Sequence, residues 1–359
     1  MLNMNSNKFI QYLFWTATAL LIAYISATYI PYSVEQLSID RSTLRVIVPE
    51  RTETAVWANG SDTLRVAFLP DTAIAELSWW SEDENIVTVD SDGRITGVKE
   101  GTAAVGVSDG KGVTASIEVQ VLNKVLPPDS YYPENFSDVP MIANIDNNIG
   151  EYTPELVDVP SAYPCGSTGM KLTSETLEAY GRMYDACKEA TGSGFYMLSS
   201  YRSYSKQQSL FDEDVASYRA QGYSRDRAIE LTAQSTQYPG CSEHQLGETV
   251  DIGNNLALNY TFYNTTAGAW VTAHAHEYGF ILRYPEAKTD ITKITYEAWH
   301  FRYVGVEHAK YIYEHDICLE EYIQLQQEAA AAADEYCAGI TAQQYLDSLS
   351  PAPAAEAAA

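Results

Sequence analysis

The sequence predicts a multidomain chain: an N-terminal transmembrane helix, an all-β sandwich, and an α+β domain with an antiparallel sheet. Three observations predict it. Phe9 to Ile30 has no charged side chain. Residues 36–123 alternate short β-branched runs with turn dipeptides, the pattern of a sandwich. Past Pro127-Pro128 the apolar spacing becomes helical, with short apolar strands between.

The charge-free segment is long enough to span a bilayer, which takes about 20 apolar residues. Lys8 precedes it and Glu35 and Asp40 follow, so the amino terminus is expected in the cytoplasm and the remainder outside. A cleaved signal peptide ending near Ile25-Ser26-Ala27 is the rival reading. Residues 1–31 are thus assigned to a cytoplasmic stub and anchor, 36–123 to the sandwich and 124–138 to a linker. Residues 139–323 form the α+β domain, and 324–359 an Ala-rich, partly disordered tail with a helix through Glu328 to Cys337.

Composition narrows the function. The 359 residues include 22 basic and 48 acidic side chains, a formal charge of −26. That balance excludes a nucleic-acid protein, which needs a basic face for phosphates. Hydrophobic residues at 46% and aromatics at 12% exclude wholesale disorder. Five cysteines are too few for a disulfide scaffold, though an extracytoplasmic domain admits Cys241–Cys318 or Cys165–Cys187 pairing.

In the sandwich the expected strands are Leu44–Val48, Thr63–Phe68, Ile86–Val89, Val105–Val107 and Ala115–Val121, separated by Asn59-Gly60, Asp92-Gly93, Glu100-Gly101 and Asp109-Gly110. The succession Leu77-Ser78-Trp79-Trp80-Ser81, Ile86-Val87-Thr88-Val89-Asp90 and Gly93-Arg94-Ile95-Thr96-Gly97-Val98 resembles the bacterial Ig-like group 2 domain. The resemblance implies a spacer or wall contact. The segment has neither His nor Cys, so no chemistry is expected there.

In the α+β domain Leu177, Tyr180, Met183, Tyr184 and Cys187 mark a helix over Leu172–Glu189 with Thr173 as its cap. All six histidines lie at or beyond position 244. Two sit in dense polar motifs, Ser242-Glu243-His244-Gln245-Leu246-Gly247-Glu248-Thr249-Val250-Asp251 and Glu297-Ala298-Trp299-His300. Zinc takes neutral imidazoles and carboxylates, and a catalytic site keeps one position for water. A turn at Gly247 followed by a strand would bring His244 and Asp251 together, with Val250 and Ile252 on the opposite face. His300 is the third candidate ligand and Glu297 the candidate general base. Either motif alone also fits ordinary surface hydrogen bonding, so spacing alone does not identify an enzyme.

Four blocks occur in order: Ser199 to Gln207, Pro239 to Ile252, Tyr278 to Pro285 and Glu297 to Gly305. Together they resemble the VanY-type D-alanyl-D-alanine carboxypeptidases. These are zinc peptidases grouped with D-Ala-D-Ala dipeptidases and the hedgehog domain. The resemblance implies His244, Asp251 and His300 as zinc ligands and Glu297 as catalytic base. It implies Arg202 on the scissile carbonyl, with Ser242, Gln207 and Trp299 as substrate contacts. It also implies peptidoglycan stem peptides as substrate, and with the anchor read at Phe9 to Ile30 the chain is expected to be a membrane-anchored extracytoplasmic enzyme within the cell wall. An L,D-carboxypeptidase acting on tetrapeptides is one alternative, and a non-catalytic wall-binding protein the other. Ala298 stands where the family usually has Pro, and Glu248-Thr249 where it has a small apolar pair. His274 and His276 read as residues of a helix ending at Gly279, and His308 and His315 as surface residues. Arg283 reads as a structural ion-pair residue.

Overall fold

The computed structural model describes residues 43–134 and 136–349. The anchor expected at 1–31 and the Pro/Ala end of the tail lie outside them. Among the described residues no helix is long and apolar enough to cross a membrane. The chain divides into two compact units, one running to Val125 and resuming at Cys337, the other Leu126–Tyr336.

The first unit is all-β. Its strands are β1 (Val46–Pro49), β2 (Glu53–Trp57), β3 (Ser61–Thr63), β4 (Val66–Leu69), β5 (Ser78–Ser81), β6 (Val87–Val89), β7 (Arg94–Gly97), β8 (Gly101–Ser108) and β9 (Thr114–Leu122). They form a sheet ordered β2-β9-β8-β5, a sheet ordered β3-β7-β6 and the pair β1-β4. Strand β2 runs parallel to β9, while the remaining pairs are antiparallel. Along β9, Ile117, Val119 and Val121 point inward and Glu118 and Gln120 outward, the period of two expected of a half-buried strand. The run expected as one strand, Thr63–Phe68, is broken at Leu64-Arg65. Buried Leu64 turns into the core with its N–H on the Gly93 carbonyl, so β3 and β4 join different sheets. Strand β2 carries no alternating pattern, since Ala55, Val56 and Trp57 are all buried, and periodicity does not reveal it.

The second unit opens with the short pair β10 (Val157–Asp158) and β11 (Lys171–Leu172). Then come α1 (Ser174–Thr191), β12 (Tyr196–Ser199), α2 (Tyr204–Ala220), α3 (Arg225–Thr232) and β13 (Thr249–Gly253). The unit continues through α4 (Thr266–His274), β14 (Phe280–Leu282), the single turn α5 (Thr289–Thr292), β15 (His300–Tyr303) and α6 (Val306–Glu314). The next helix, α7 (Leu319–Gly339), begins in this unit. Four strands form one antiparallel sheet, β12-β13-β15-β14. The Thr173 hydroxyl caps α1 by accepting from the Thr176 N–H, and Gly192 ends it in the left-handed region at φ 71°. Ala179, Tyr180, Met183 and Cys187 of α1 share a core with Val250 and Ile252 of β13 and Phe301 of β15. The helix thus fills one face of the sheet and leaves the other for polar groups.

One expectation is extended and two are corrected. The tail is helical through Leu349, because α7 buries a stripe of Tyr322, Gln326, Ala329 and Ala333, and α8 (Ala342–Leu349) packs on the first unit. There the Trp57 indole donates to the Ile340 carbonyl at 2.9 Å and its ring meets Tyr345. His308 is buried, its Nδ1 2.8 Å from the Tyr322 hydroxyl, because α7 covers this side of α6. Neither expected disulfide forms. Cys187 lies in the α1 core, and Cys241 accepts a hydrogen bond from the Asn148 amide.

Gly97 is a packing constraint that a side chain would violate. A Cβ there would sit 2.6 Å from the Trp57 carbonyl oxygen and about 3 Å from the Val121 and Val56 methyls. The nearest obstacle is backbone and cannot swing aside. Gly97→Ala should destabilise the β unit by about 1–3 kcal/mol. Thermal unfolding of the full chain would read this, and an unchanged transition would contradict it.

Candidate active site

The polar face of the sheet is set by strand register. Asp251 on β13 lies directly opposite His300 on β15, and Ser199 on β12 opposes Asp251 from the other side. Because Val250 and Ile252 face the α1 core, alternation sends Asp251 the other way. His244 arrives from a 3-10 turn, Glu243–Leu246, closed by Gly247 at φ 73°. A Cβ on Gly247 would come 2.7 Å from Leu156, so the turn is restricted in both conformation and space.

These three side chains are buried, and each offers one ligand atom within 4.8 Å of the others. His244 Nε2 is 3.3 Å from one Asp251 oxygen, and His300 Nδ1 is 3.2 Å from the other. His244 Nδ1 lies 2.7 Å from the Ser200 carbonyl. A carbonyl only accepts, so Nδ1 carries the proton and Nε2 presents its lone pair to the centre. Asp251 Oδ1 is buried without a hydrogen-bond partner. Two imidazoles and one carboxylate, whose Oδ1 is orphaned, fit a zinc ion with an open fourth position.

The electrostatics agree. Burial pushes the His244 imidazole down to about 4, helped by the Arg202 guanidinium, so it is neutral near pH 7. Burial acts the same way on His300, but the Asp251 and Glu297 carboxylates outweigh it and raise the ring to about 9. Burial alone would raise Asp251, yet the two imidazoles hold it well below the usual carboxylate range.

Glu297 and Arg202 complete the group. Glu297 Oε2 lies 3.2 Å from His300 Nδ1. The Arg202 backbone N–H donates to the His244 carbonyl at 3.0 Å, and its Nη1 donates to Gln207 Oε1 at 2.9 Å. Gln207 in turn donates to the Gln237 carbonyl at 2.6 Å. Gln207 thus ties Arg202 to the Gln237 carbonyl, and it also lines the cavity where a substrate contact is expected of it. Ser242 and Trp299 line the same cavity of about 230 Å3, along with all five residues of the centre. A second cavity of about 330 Å3 shares Arg202, Asp251 and Leu258 with it and extends along Ser200, Tyr201 and Lys206.

Sequence reasoning passed over Tyr284, whose buried ring packs 4.7 Å from His300, and Tyr260, whose ring meets Trp299 at 4.9 Å. Tyr284 stands in one of the four recognised blocks, which was its available signal. The ion pair expected of Arg283 is present, joined by Arg302 and Glu248 at 2.6 Å. Glu248 thus faces Arg302 and not the centre. His274 and His276 lie outside the centre, His276 stacked on Tyr313.

A buried His-Asp-His set opening on a cavity that also holds a carboxylate and a guanidinium defines a candidate metallopeptidase centre. Residues 169–306 match VanY, D-alanyl-D-alanine carboxypeptidase. Residues 46–119 match the bacterial Ig-like domain (group 2). The chain is 38% identical over 181 residues to the putative carboxypeptidase YodJ of Bacillus subtilis, covering 49% of this chain and 63% of YodJ. It is 41% identical over 143 residues to a D-alanyl-D-alanine carboxypeptidase of Enterococcus faecalis, covering 39% of this chain and 52% of that protein. The chain thus spans between half and two thirds of the length of these relatives. A solved vancomycin-resistance D,D-pentapeptidase VanY of the VanB type, in complex with Zn(II), is 35% identical with a TM-score of 0.45, covering 51% of this chain and 97% of its own.

Proton competition at the centre gives a measurable consequence. Without metal, His300 keeps its proton up to about pH 9, whereas His244 is already neutral above about 4. Zinc uptake near pH 7 should therefore displace about one proton from the ligand set, and affinity should rise with pH until about 9. Calorimetry in buffers of different ionisation enthalpy would measure the release, with His300→Ala as the variant expected to lose stoichiometric zinc. A pH-independent affinity would contradict the ligand assignment.

Proposed function

We propose that this chain is a zinc-dependent D-alanyl-D-alanine carboxypeptidase that removes the terminal D-Ala from peptidoglycan stem pentapeptides. The convergence of His244, Asp251, His300, Glu297 and Arg202 on one cavity supports it. His244, Asp251 and His300 would hold the ion. When bound, zinc lowers the pKa of water toward about 7 and polarises an adjacent carbonyl.

The protein side chains divide the remaining work. Glu297 takes the proton of the water that attacks the scissile carbonyl carbon. As the C–N bond breaks, the same carboxyl delivers that proton to the leaving amine, so no net proton is consumed at Glu297. Arg202, fixed through Gln207 and the His244 carbonyl, donates to the carbonyl oxygen as negative charge develops there. Burial costs its guanidinium some basicity, and the carboxylates of Asp251 and Glu297 offset part of that cost. Ser242, whose hydroxyl caps no helix N–H, and Trp299 are assigned to the bound peptide.

The proposed setting follows from the segment Phe9 to Ile30 as an uncleaved anchor, with the catalytic domain outside the membrane and the Ig-like domain as a spacer in the wall. No nucleic-acid partner suits a net charge of −26.

Purified protein with zinc, incubated separately with stem pentapeptide and tetrapeptide and read by mass spectrometry, tests the reading. Pentapeptide should lose one alanine in a reaction abolished by EDTA. Loss from the tetrapeptide instead would make the enzyme an L,D-carboxypeptidase, and loss from neither would favour a wall-binding protein. Glu297→Ala should retain zinc while kcat falls about 10²–10⁴-fold, the usual contribution of a general base. Near-normal turnover would remove Glu297 from the mechanism.

A further inference from the structure

We infer that Glu320, on α7 and beyond the end of the matched family region at residue 306, is a positioning residue of the metal centre, acting through Arg283 and Glu243 on the turn that carries His244. The inference rests on the proposed zinc site.

Glu243 immediately precedes His244, and its carboxylate is fully buried. It receives the Arg283 Nε–H at 2.9 Å from each oxygen, and Arg302 Nη1 lies 3.2 Å away. Arg283 is also fully buried, and its backbone N–H donates to the His300 carbonyl at 3.1 Å. One arginine therefore touches the strand of one candidate ligand and the turn of another.

The geometry at Arg283 is unusual in a useful way. A guanidinium and a carboxylate ordinarily meet through two parallel N–H bonds. Glu320 takes that arrangement here, accepting Nη1–H at 2.9 Å and Nη2–H at 2.6 Å. Glu243 is left with Nε alone. Glu320 thus fixes the direction in which Arg283 faces Glu243. It is itself held by the Asn144 amide at 3.3 Å. Without its charge, the two Nη groups lose their bidentate carboxylate partner and can turn toward Glu243. That rotation would re-aim Glu243 and so disturb the placement of the adjoining His244 against Asp251. Burial makes the effect large, since screening by water is absent where these groups meet.

The test compares Glu320→Gln with Glu328→Gln in the full chain. Glu328 is exposed on the same helix and accepts a hydrogen bond from the Gln324 amide. Readouts are zinc affinity by competition with a chromophoric chelator, kcat and KM on stem pentapeptide, and the thermal midpoint without metal. Groups that orient metal ligands typically change metal affinity 10–100-fold. Glu320→Gln should weaken zinc binding at least tenfold and lower kcat with KM within twofold. Glu328→Gln should match the parent protein, and Glu320→Asp should recover part of the loss. A Glu320→Gln protein with a lowered thermal midpoint but zinc affinity and kcat within twofold of the parent would overturn the inference and leave Glu320 merely structural. If the parent protein binds zinc yet cleaves no stem peptide, the functional reading fails and the zinc-affinity comparison alone decides for or against Glu320. A parent protein that takes up no zinc overturns both.

Discussion

The pairing of Asp251 with His300 across β13 and β15 is the constraint on which the candidate metal centre depends. It places two of three candidate metal ligands on facing strands of one sheet, where neither can move without breaking the ladder. A one-residue slip of either strand would turn its ligand into the α1 core and bring an apolar side chain to the polar face. The cost is that a carboxylate and two imidazoles share a buried space with few hydrogen-bond partners. Isolated charges in such a place are expensive. In the metal-free protein the His300 proton offsets the Asp251 charge, and a divalent cation would do so more completely.

The sheet separates two kinds of cohesion. On one face, α1 supplies an apolar and tyrosine-rich core in which Tyr163, Tyr180, Tyr184 and Phe195 meet edge to face. Beside the polar face, cohesion is ionic: Glu243, Glu248 and Glu320 alternate with Arg283 and Arg302. An all-apolar core would serve stability as well or better. What ionic packing adds is direction, because each hydrogen bond fixes an orientation that dispersion contacts leave free. Direction is what the turn bearing His244 requires. Gln207 works similarly on a smaller scale, holding the Arg202 guanidinium at one end and anchoring to Gln237 at the other.

The Ig-like unit is built on different terms. Its core of Val87, Ile95, Val105, Ile117, Val119 and Val121 is aliphatic, and it holds no histidine or cysteine among residues 43–125. It is covered in part by the chain's own end, through Trp57, Ile340 and Tyr345. The candidate metal ligands all lie in the other unit.

Much of this was legible before any coordinates. The alternation in Ala115–Val121 marked a strand, Thr173 marked a helix start, and the spacing of His244, Gly247 and Asp251 implied a turn leading into a strand. Each of these depends on neighbours within a few residues, where backbone geometry dictates the outcome. Strand β2, the break at Leu64, the burial of His308 and the extent of the tail helices beyond Glu328–Cys337 were not legible, because each is decided by a partner distant in sequence. The same holds within the site. Sequence supplied the identities of Arg202, His244, Asp251, Glu297 and His300, since chemistry restricts which residue types can serve. Only the tertiary structure decided that Gln207 serves Arg202, that Ser200 selects the His244 tautomer and that Glu320 reaches Arg283. Those choices turn on hydrogen bonds between segments up to 44 residues apart, and periodicity carries no information over that range.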